Sequence, residues 1–344
     1  MIPRIFNNLM GWFSADLAMD LGTANTLIYA KDRGIVLDEP SVVAVNTNGD
    51  GVEAVGLEAK RMFGRTHSRV ETIRPMKDGV IADFDITNTM INYFIKKVLK
   101  NHRFLKPRMV VGIPTCITQV EKKAVVDASL MAGIREVHLV EEPMAAAIGV
   151  GIPVHKPEGN MVIDIGGGTT DVAVVSLSAI AYGESIRLAG DEFDEAIVRY
   201  MRINHHLNIG VFEGERTKIN VGSAYPLVET LTTEVKGLNV RTGVPTSIIV
   251  DDEQIREAIK EPLATIISVV LRALEKVPPE LSADIHSNGI YLTGGGALIR
   301  GLDKLVEEKT TLRVFIPDEP LLSICKGAGA ILDDFGEMQK VCIN

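Results

Sequence analysis

Apolar residues fall into short unbroken runs punctuated by glycines, with longer stretches of helical spacing between them. Met161-Val-Ile-Asp-Ile-Gly-Gly-Gly-Thr-Thr-Asp-Val-Ala-Val-Val175 sets the pattern: an apolar run into Asp164, glycines and threonines, then apolar residues again. Such runs predict two buried strands joined by a tight glycine turn. Ala18-Met-Asp-Leu-Gly-Thr-Ala-Asn-Thr-Leu-Ile-Tyr29 repeats it, with Asp20-Leu-Gly22 in the place of Asp164-Ile-Gly166 and Thr26 in the place of Thr170. Two copies of Asp-(Leu/Ile)-Gly-x-x-x-Thr predict two related halves. A third glycine run, Ile290-Tyr-Leu-Thr-Gly-Gly-Gly-Ala-Leu-Ile-Arg-Gly301, passes from a strand through glycines into a helical pattern.

The rest of the chain alternates strand and helix. Residues 35–45 read as strands with a turn at Asp38-Glu-Pro40. Residues 88–100 are helical, with Met90, Ile91, Phe94, Ile95 and Val98 as the apolar stripe. A strand over 109–114, a helix over 119–132 and a strand over 137–140 lead to Glu141-Glu142-Pro143, where proline opens a helix. Residues 153–159 read as a linker and hinge. Helices follow through Met201, over 213–222, and from Asp251 along the face Ile255, Ile259, Leu263, Ile266, Ile267, Val270, Leu271 and Leu274, which Pro278-Pro279 ends. Phe315 and Ile316 predict a strand, and residues 322–335 a last helix returning to the first half.

Glycine turns of this kind suit phosphate, because successive backbone N–H groups can approach an anion closely. Thr169 and Thr170 add hydroxyl donors. Asp20 and Asp164 can hold a hydrated Mg²⁺ beside phosphates. Either motif alone also fits an ordinary hairpin; the repetition points to one nucleotide polyphosphate gripped from both sides.

Composition narrows the field. The net charge of −9 argues against a nucleic-acid partner. Three cysteines, Cys116, Cys325 and Cys342, lie far apart, which fits a reducing cytosol without a disulfide framework or structural zinc. No apolar run is long enough to span a membrane. Two segments nevertheless suit a membrane surface. Ile2, Ile5, Phe6, Leu9, Met10, Trp12 and Phe13 share one side of a helical wheel, which fits a core helix or, on its amphipathic pattern, an interfacial helix. Phe104 and Leu105 sit among Lys96, Lys97, Lys100, Arg103, Lys106 and Arg108. Those cations either cap the preceding helix or ring an apolar tip suited to anionic lipid.

Taken together, residues 20–26, 74–83, 141–149, 164–171 and 292–301 resemble the actin/chaperone/sugar-kinase ATPase superfamily, and within it the bacterial actin-like cell-shape proteins, over essentially the whole chain. The resemblance implies an α/β, actin-like ATPase fold: two similar domains around a nucleotide cleft, each with a small subdomain. The first domain takes residues 15–152 plus 321–344 with an insertion over 34–74, and the second takes 153–320 with an insertion over 183–246. Residues 1–14 form the amphipathic membrane helix. The implied cofactors are ATP and Mg²⁺. Gly22, Thr23, Ala24 and Asn25 cradle one side of the phosphates, and Gly166, Gly167, Gly168 and Thr169 the other. Asp20 and Asp164 hold the metal. Glu142 activates water with help from Thr169. Glu215, Arg216, Thr217 and Lys218, with Gly294, Gly295, Gly296 and Ala297, serve the adenosine. Ile5, Phe6, Leu9, Trp12, Phe13, Phe104 and Leu105 meet the membrane.

The function so implied is a cytoplasmic ATPase, peripheral on the inner face of the cytoplasmic membrane. It polymerises into filaments and organises cell-wall synthesis for rod shape. Its partners are further copies of itself, anionic inner-membrane lipid and membrane-embedded shape and wall-synthesis proteins. A small-molecule kinase or a chaperone-type nucleotide-binding domain of the same superfamily is the competing expectation. The first lacks a sugar-binding signature, and the second requires a further substrate domain.

Overall fold

The computed structural model describes residues 16–47, 51–65, 69–99 and 107–343. The chain divides into two compact units, Met1–Ile152 with Leu322–Asn344, and Pro153–Leu321. Each unit has its own hydrophobic core.

In the first unit a five-stranded sheet runs in the order Glu136–Glu141, Arg108–Ile113, Leu17–Leu21, Asn25–Ala30, Gly34–Pro40. The last three strands form an antiparallel meander, and the first two run parallel to Leu17–Leu21. The second unit repeats this topology with Val314–Phe315, Ile290–Thr293, Asn160–Ile165, Thr170–Ser176 and Ala179–Ile186. Leu17–Leu21, Asn160–Ile165 and Thr170–Ser176 are buried at every position. Strands covered on both faces read as unbroken apolar runs, and that is why the sequence pattern lacks alternation there.

Helices pack on these sheets through the residues their spacing singles out. Phe84–Val98 buries Met90, Ile91, Phe94, Ile95 and Val98 and starts at Asp83, whose carboxylate accepts from the Ile86 N–H at 3.0 Å. Gln119–Met131 begins with a reciprocal cap between Thr118 and Glu121. Glu142–Gly149 and Ser323–Asp333 meet backbone to backbone. A Cβ on Gly327 would lie 1.7 Å from the Ala145 carbonyl oxygen, and one on Gly149 would lie 1.9 Å from that of Ser323. Small sheets complete each unit: Val52–Val55, Val43–Asn46 and Val70–Ile73 in the first, Leu207–Asn208, Thr232–Asn239 and Pro245–Asp251 in the second.

Several local expectations are corrected. The strand Gly34–Pro40 runs straight through Asp38-Glu-Pro40, and the bend follows at Ser41-Val42. Pro40 is tolerated because it ends an edge strand. Pro278-Pro279 does not only stop a helix: Pro279–Asn288 is a further helix with proline in its first turn. The face from Ile255 to Leu274 is carried by two helices, Asp252–Ala258 and Lys260–Lys276, which meet at Ile259. After Ile290–Thr293 the glycines enter a 3₁₀ turn, Gly295–Leu298, and the α-helix begins only at Leu302. Ile316 lies outside the short strand Val314–Phe315. The boundary between the units falls at the start of the stretch read as a linker, and that stretch is hydrogen-bonded within the second unit: Ser178 N–H donates to the Val154 carbonyl at 2.7 Å, and Gly159 N–H donates to Asp284 at 2.8 Å.

Candidate functional site

Each sheet carries one aspartate-led hairpin, and each hairpin is built from its own unit. In the first, Asp20 stands near the end of the central strand and is 7 % exposed. Gly22 opens the turn, and a Cβ there would meet the Asn25 carbonyl oxygen at 2.6 Å, so glycine is required by space. Thr23, Ala24 and Asn25 complete the loop. Side chains and turns from elsewhere hold it. Ser41 Oγ donates to the Gly22 carbonyl at 2.7 Å and lies 2.9 Å from Thr26 Oγ1. Ser41 N–H donates to the Ala24 carbonyl at 2.9 Å, and Gly79 N–H donates to Thr23 Oγ1 at 3.0 Å. Asn25 Nδ2 donates to Asp38 at 3.0 Å.

Glu142 opens the helix Glu142–Gly149 and is 7 % exposed. Its stem lies over Gly112, which is paired in register with Asp20. The fold thus brings Asp20, the Gly22–Asn25 loop and Glu142 to one end of the first sheet. Glu141 is the last residue of the neighbouring strand.

In the second unit Asp164 is buried in its strand, and Thr293 Oγ1 donates to its Oδ1 at 2.7 Å. Loss of solvent, reinforced by the Asp171 carboxylate opposite it, pushes Asp164 up to about 7, although the Thr293 hydrogen bond pulls it down. Gly166, Gly167, Gly168 and Thr169 form the loop, closed by Gly166 N–H on the Thr169 carbonyl at 2.9 Å. The start of the helix Gly190–Asn204 clamps this loop with two backbone donors, Gly190 N–H on Gly166 and Asp191 N–H on Gly167, at 3.2 and 2.8 Å. Thr170 Oγ1 donates to the Leu188 carbonyl at 2.7 Å.

The remaining candidates divide. Lys218 donates to the Gly190 carbonyl and pairs with Asp194, both at 2.8 Å, so it is joined to the same loop. Burial pushes Asp194 up to about 6 against the pull of Lys218. Asp194 carries no local motif; only its place opposite Lys218 reveals it. Glu215 lies one turn before Lys218 on the helix Val211–Val221. Arg216 turns to Glu213 and to the Glu234 carbonyl, and Thr217 is fully buried with its hydroxyl on the Glu213 carbonyl at 2.6 Å. Gly294 and Gly296 press on the central strand: a Cβ would meet the Ile165 carbonyl oxygen at 2.4 Å or Ile165 Cγ2 at 2.2 Å. Gly295 and Ala297 continue that turn. Ile5, Phe6, Leu9, Trp12, Phe13, Phe104 and Leu105 lie outside the described residues.

Two sheets of one topology, each bearing an aspartate-led glycine hairpin, define an actin-like fold. The MreB/Mbl protein family matches residues 14–340. The cell shape-determining protein MreB of Escherichia coli (strain K12) is 51 % identical over 329 residues, covering 94 % of each chain. MreB5 of Spiroplasma citri bound to ADP is 32 % identical, covers 94 % of this chain and 98 % of its own, and superposes with a TM-score of 0.90. The same protein bound to AMPPNP gives 0.88 at 32 % identity, covering 94 % of this chain and 97 % of its own. The chain belongs to the MreB/Mbl family.

Proposed function

We propose that the chain is an actin-like ATPase that assembles into filaments on the inner face of the cytoplasmic membrane and organises wall synthesis for rod shape. The observation that carries this reading is the twin hairpin, in a chain related at 32 % identity to a protein solved with ADP and with AMPPNP. Both loops serve one ATP. Gly22 to Asn25 and Gly166 to Thr169 offer backbone N–H groups to its phosphates, while Lys218, Glu215 and the Gly294–Ala297 turn serve the adenosine.

Asp20 and Asp164 are hard oxygen donors, and one or two carboxylates suit a cation that keeps its waters and rides on phosphate. Among the described residues no group of three or more His, Cys, Asp or Glu could hold a metal by itself, in keeping with a Mg²⁺ that arrives with the nucleotide. When bound, Mg²⁺ neutralises phosphate charge. Glu142 orients the attacking water and takes its proton, and the Thr169 hydroxyl helps to position it. Hydrolysis of this kind rests on in-line placement and charge stabilisation more than on covalent chemistry.

ATP favours a form that adds head to tail, and a heterologous contact that does not close gives a filament. No helix among the described residues is long and apolar enough to cross a membrane. The residue 1–14 segment and the Phe104-Leu105 tip act as weak surface anchors, and their repetition along a filament adds avidity. Anionic lipid and membrane-embedded wall-synthesis proteins are the partners that follow.

Light scattering and electron microscopy of the purified protein test the reading. Filaments that require ATP and Mg²⁺ are expected; persistent monomers under the same conditions would overturn it. Deleting residues 1–13 is expected to abolish most pelleting with anionic vesicles, and undiminished pelleting would remove the membrane role of that segment.

A further inference from the structure

We infer that Gly112 is a positioning residue for Glu142. The inference rests on the ATPase reading above and adds the residue that sets where its base stands. Because the two sheets share one topology, their positions correspond. Gly112 pairs with Asp20 as Thr293 pairs with Asp164. Thr293 fills its place with a hydroxyl that donates to the aspartate. Gly112 leaves the equivalent place open, and two other side chains meet there. A Cβ on Gly112 would lie 3.0 Å from Ile324 Cγ2 and 3.6 Å from Glu142 Cγ, with the Met19 carbonyl oxygen at 3.9 Å.

Backbone conformation does not demand glycine at this position. Gly112 lies inside the strand Arg108–Ile113 and has no positive φ. Glycine within a buried strand sacrifices packing and chain entropy, so it marks a close approach by something else. Here that approach is Ile324, with the stem of Glu142 beside it, each 7 % exposed.

The helix behind Glu142 has no room to compensate. At Gly149 and Gly327 it meets Ser323–Asp333 without any intervening side chain. A methyl group at position 112 must therefore be absorbed by Ile324, which has to give by a few tenths of an ångström, while Glu142 Cγ gains a contact at 3.6 Å. It touches no substrate atom, yet it fills the place beside which the Glu142 stem rests, so any movement of Ile324 is passed to the base relative to the strand end that carries Asp20. Displacements of this order are enough to slow a reaction that depends on aligned groups.

Steady-state ATP hydrolysis and ATP affinity of the full chain provide the test. Gly112→Ala should lower kcat on the order of 10-fold while changing the ATP Kd by less than about twofold. Adding Ile324→Ala, which removes the atom 3.0 Å away, should restore most of the rate. In a Glu142→Gln background Gly112→Ala should cost nothing further, because groups that act as a unit are not additive. Unchanged kcat, a loss that Ile324→Ala does not relieve, or an equal loss in the Glu142→Gln background would each overturn the inference. Should Gly112→Ala not fold, Ile324→Ala alone loosens the same place and should give a kcat loss that vanishes in that background; a loss that persists there refutes it. If the parent chain fails to hydrolyse ATP, or Glu142→Gln leaves the rate unchanged, the ATPase reading itself falls. When both behave as proposed, the Gly112 result judges this inference alone.

Discussion

The two hairpins share a sequence motif and differ in what holds them. The loop of the second unit is clamped by main-chain donors from Gly190 and Asp191, and its aspartate is buried against Thr293. The loop of the first unit has, among the described residues, a single main-chain to main-chain clamp, Ser41 N–H on the Ala24 carbonyl, and otherwise hangs on the hydroxyls of Ser41 and Thr23, and its aspartate has a glycine for a neighbour. A repeated motif therefore does not carry a repeated support. Main-chain clamps survive most single substitutions, whereas a side-chain clamp is undone by one. The first hairpin is the more readily altered of the two.

The largest contrast lies in the buried carboxylate. Asp164 is pushed up to about 7 by burial and by Asp171, against an ordinary value of 3.8. The nucleotide-free native state holds this proton to a higher pH than the unfolded chain does. Its contribution to stability is therefore present below about pH 4 and is lost as pH rises to about 7. The loss is on the order of 4 kcal/mol. Asp164→Asn has no proton to lose, so urea denaturation should show it gaining on the parent by that order across the window. A difference that stays constant with pH would place Asp164 among ordinary carboxylates and weaken the contrast.

Next comes the glycine that opens each turn. Gly22→Ala forces a methyl group to 2.6 Å from a carbonyl oxygen, whereas Gly166→Ala brings one to 3.3 Å. The first should destabilise by about 1–3 kcal/mol, the usual range for overpacking, and the second by less. Equal midpoint shifts in urea would mean that the two turns are equally tight.

The smallest effect tests the supports themselves. Ser41→Ala removes a buried hydroxyl that links the Gly22 carbonyl with Thr26. It should cost about 1 kcal/mol, measured by denaturation, and should weaken ATP binding, measured by calorimetry. Thr170→Val removes the hydroxyl that ties the second hairpin to the Leu188 carbonyl and leaves the main-chain clamp in place, so ATP binding should hold. Equal losses of affinity would erase the distinction between the two kinds of support.

The hairpins and the stripe of Phe84–Val98 were legible in the sequence because strand burial, glycine spacing and helical periodicity are local signals. The supports were not. Ser41 is 19 residues from Gly22 and Gly79 is 56 residues from Thr23, and a serine or glycine at such distances carries no sign of its partner. Gly112 was invisible for the same reason: its meaning lies in Ile324 and Glu142, which only the fold brings to it. Pro278-Pro279 misled because proline both stops one helix and starts another, and the chain does both there. The third glycine run misled because Gly294 and Gly296 answer to packing on Ile165 rather than to a helix start.

The division of the chain has a consequence for its birth on the ribosome. Pro153–Leu321 is continuous and can begin to close its core as soon as it has emerged. The other unit has to wait, because Ile331 and Leu332 are buried parts of it and are synthesised after the second unit. Its nascent sheet stays incompletely covered until the whole of the second unit has been made.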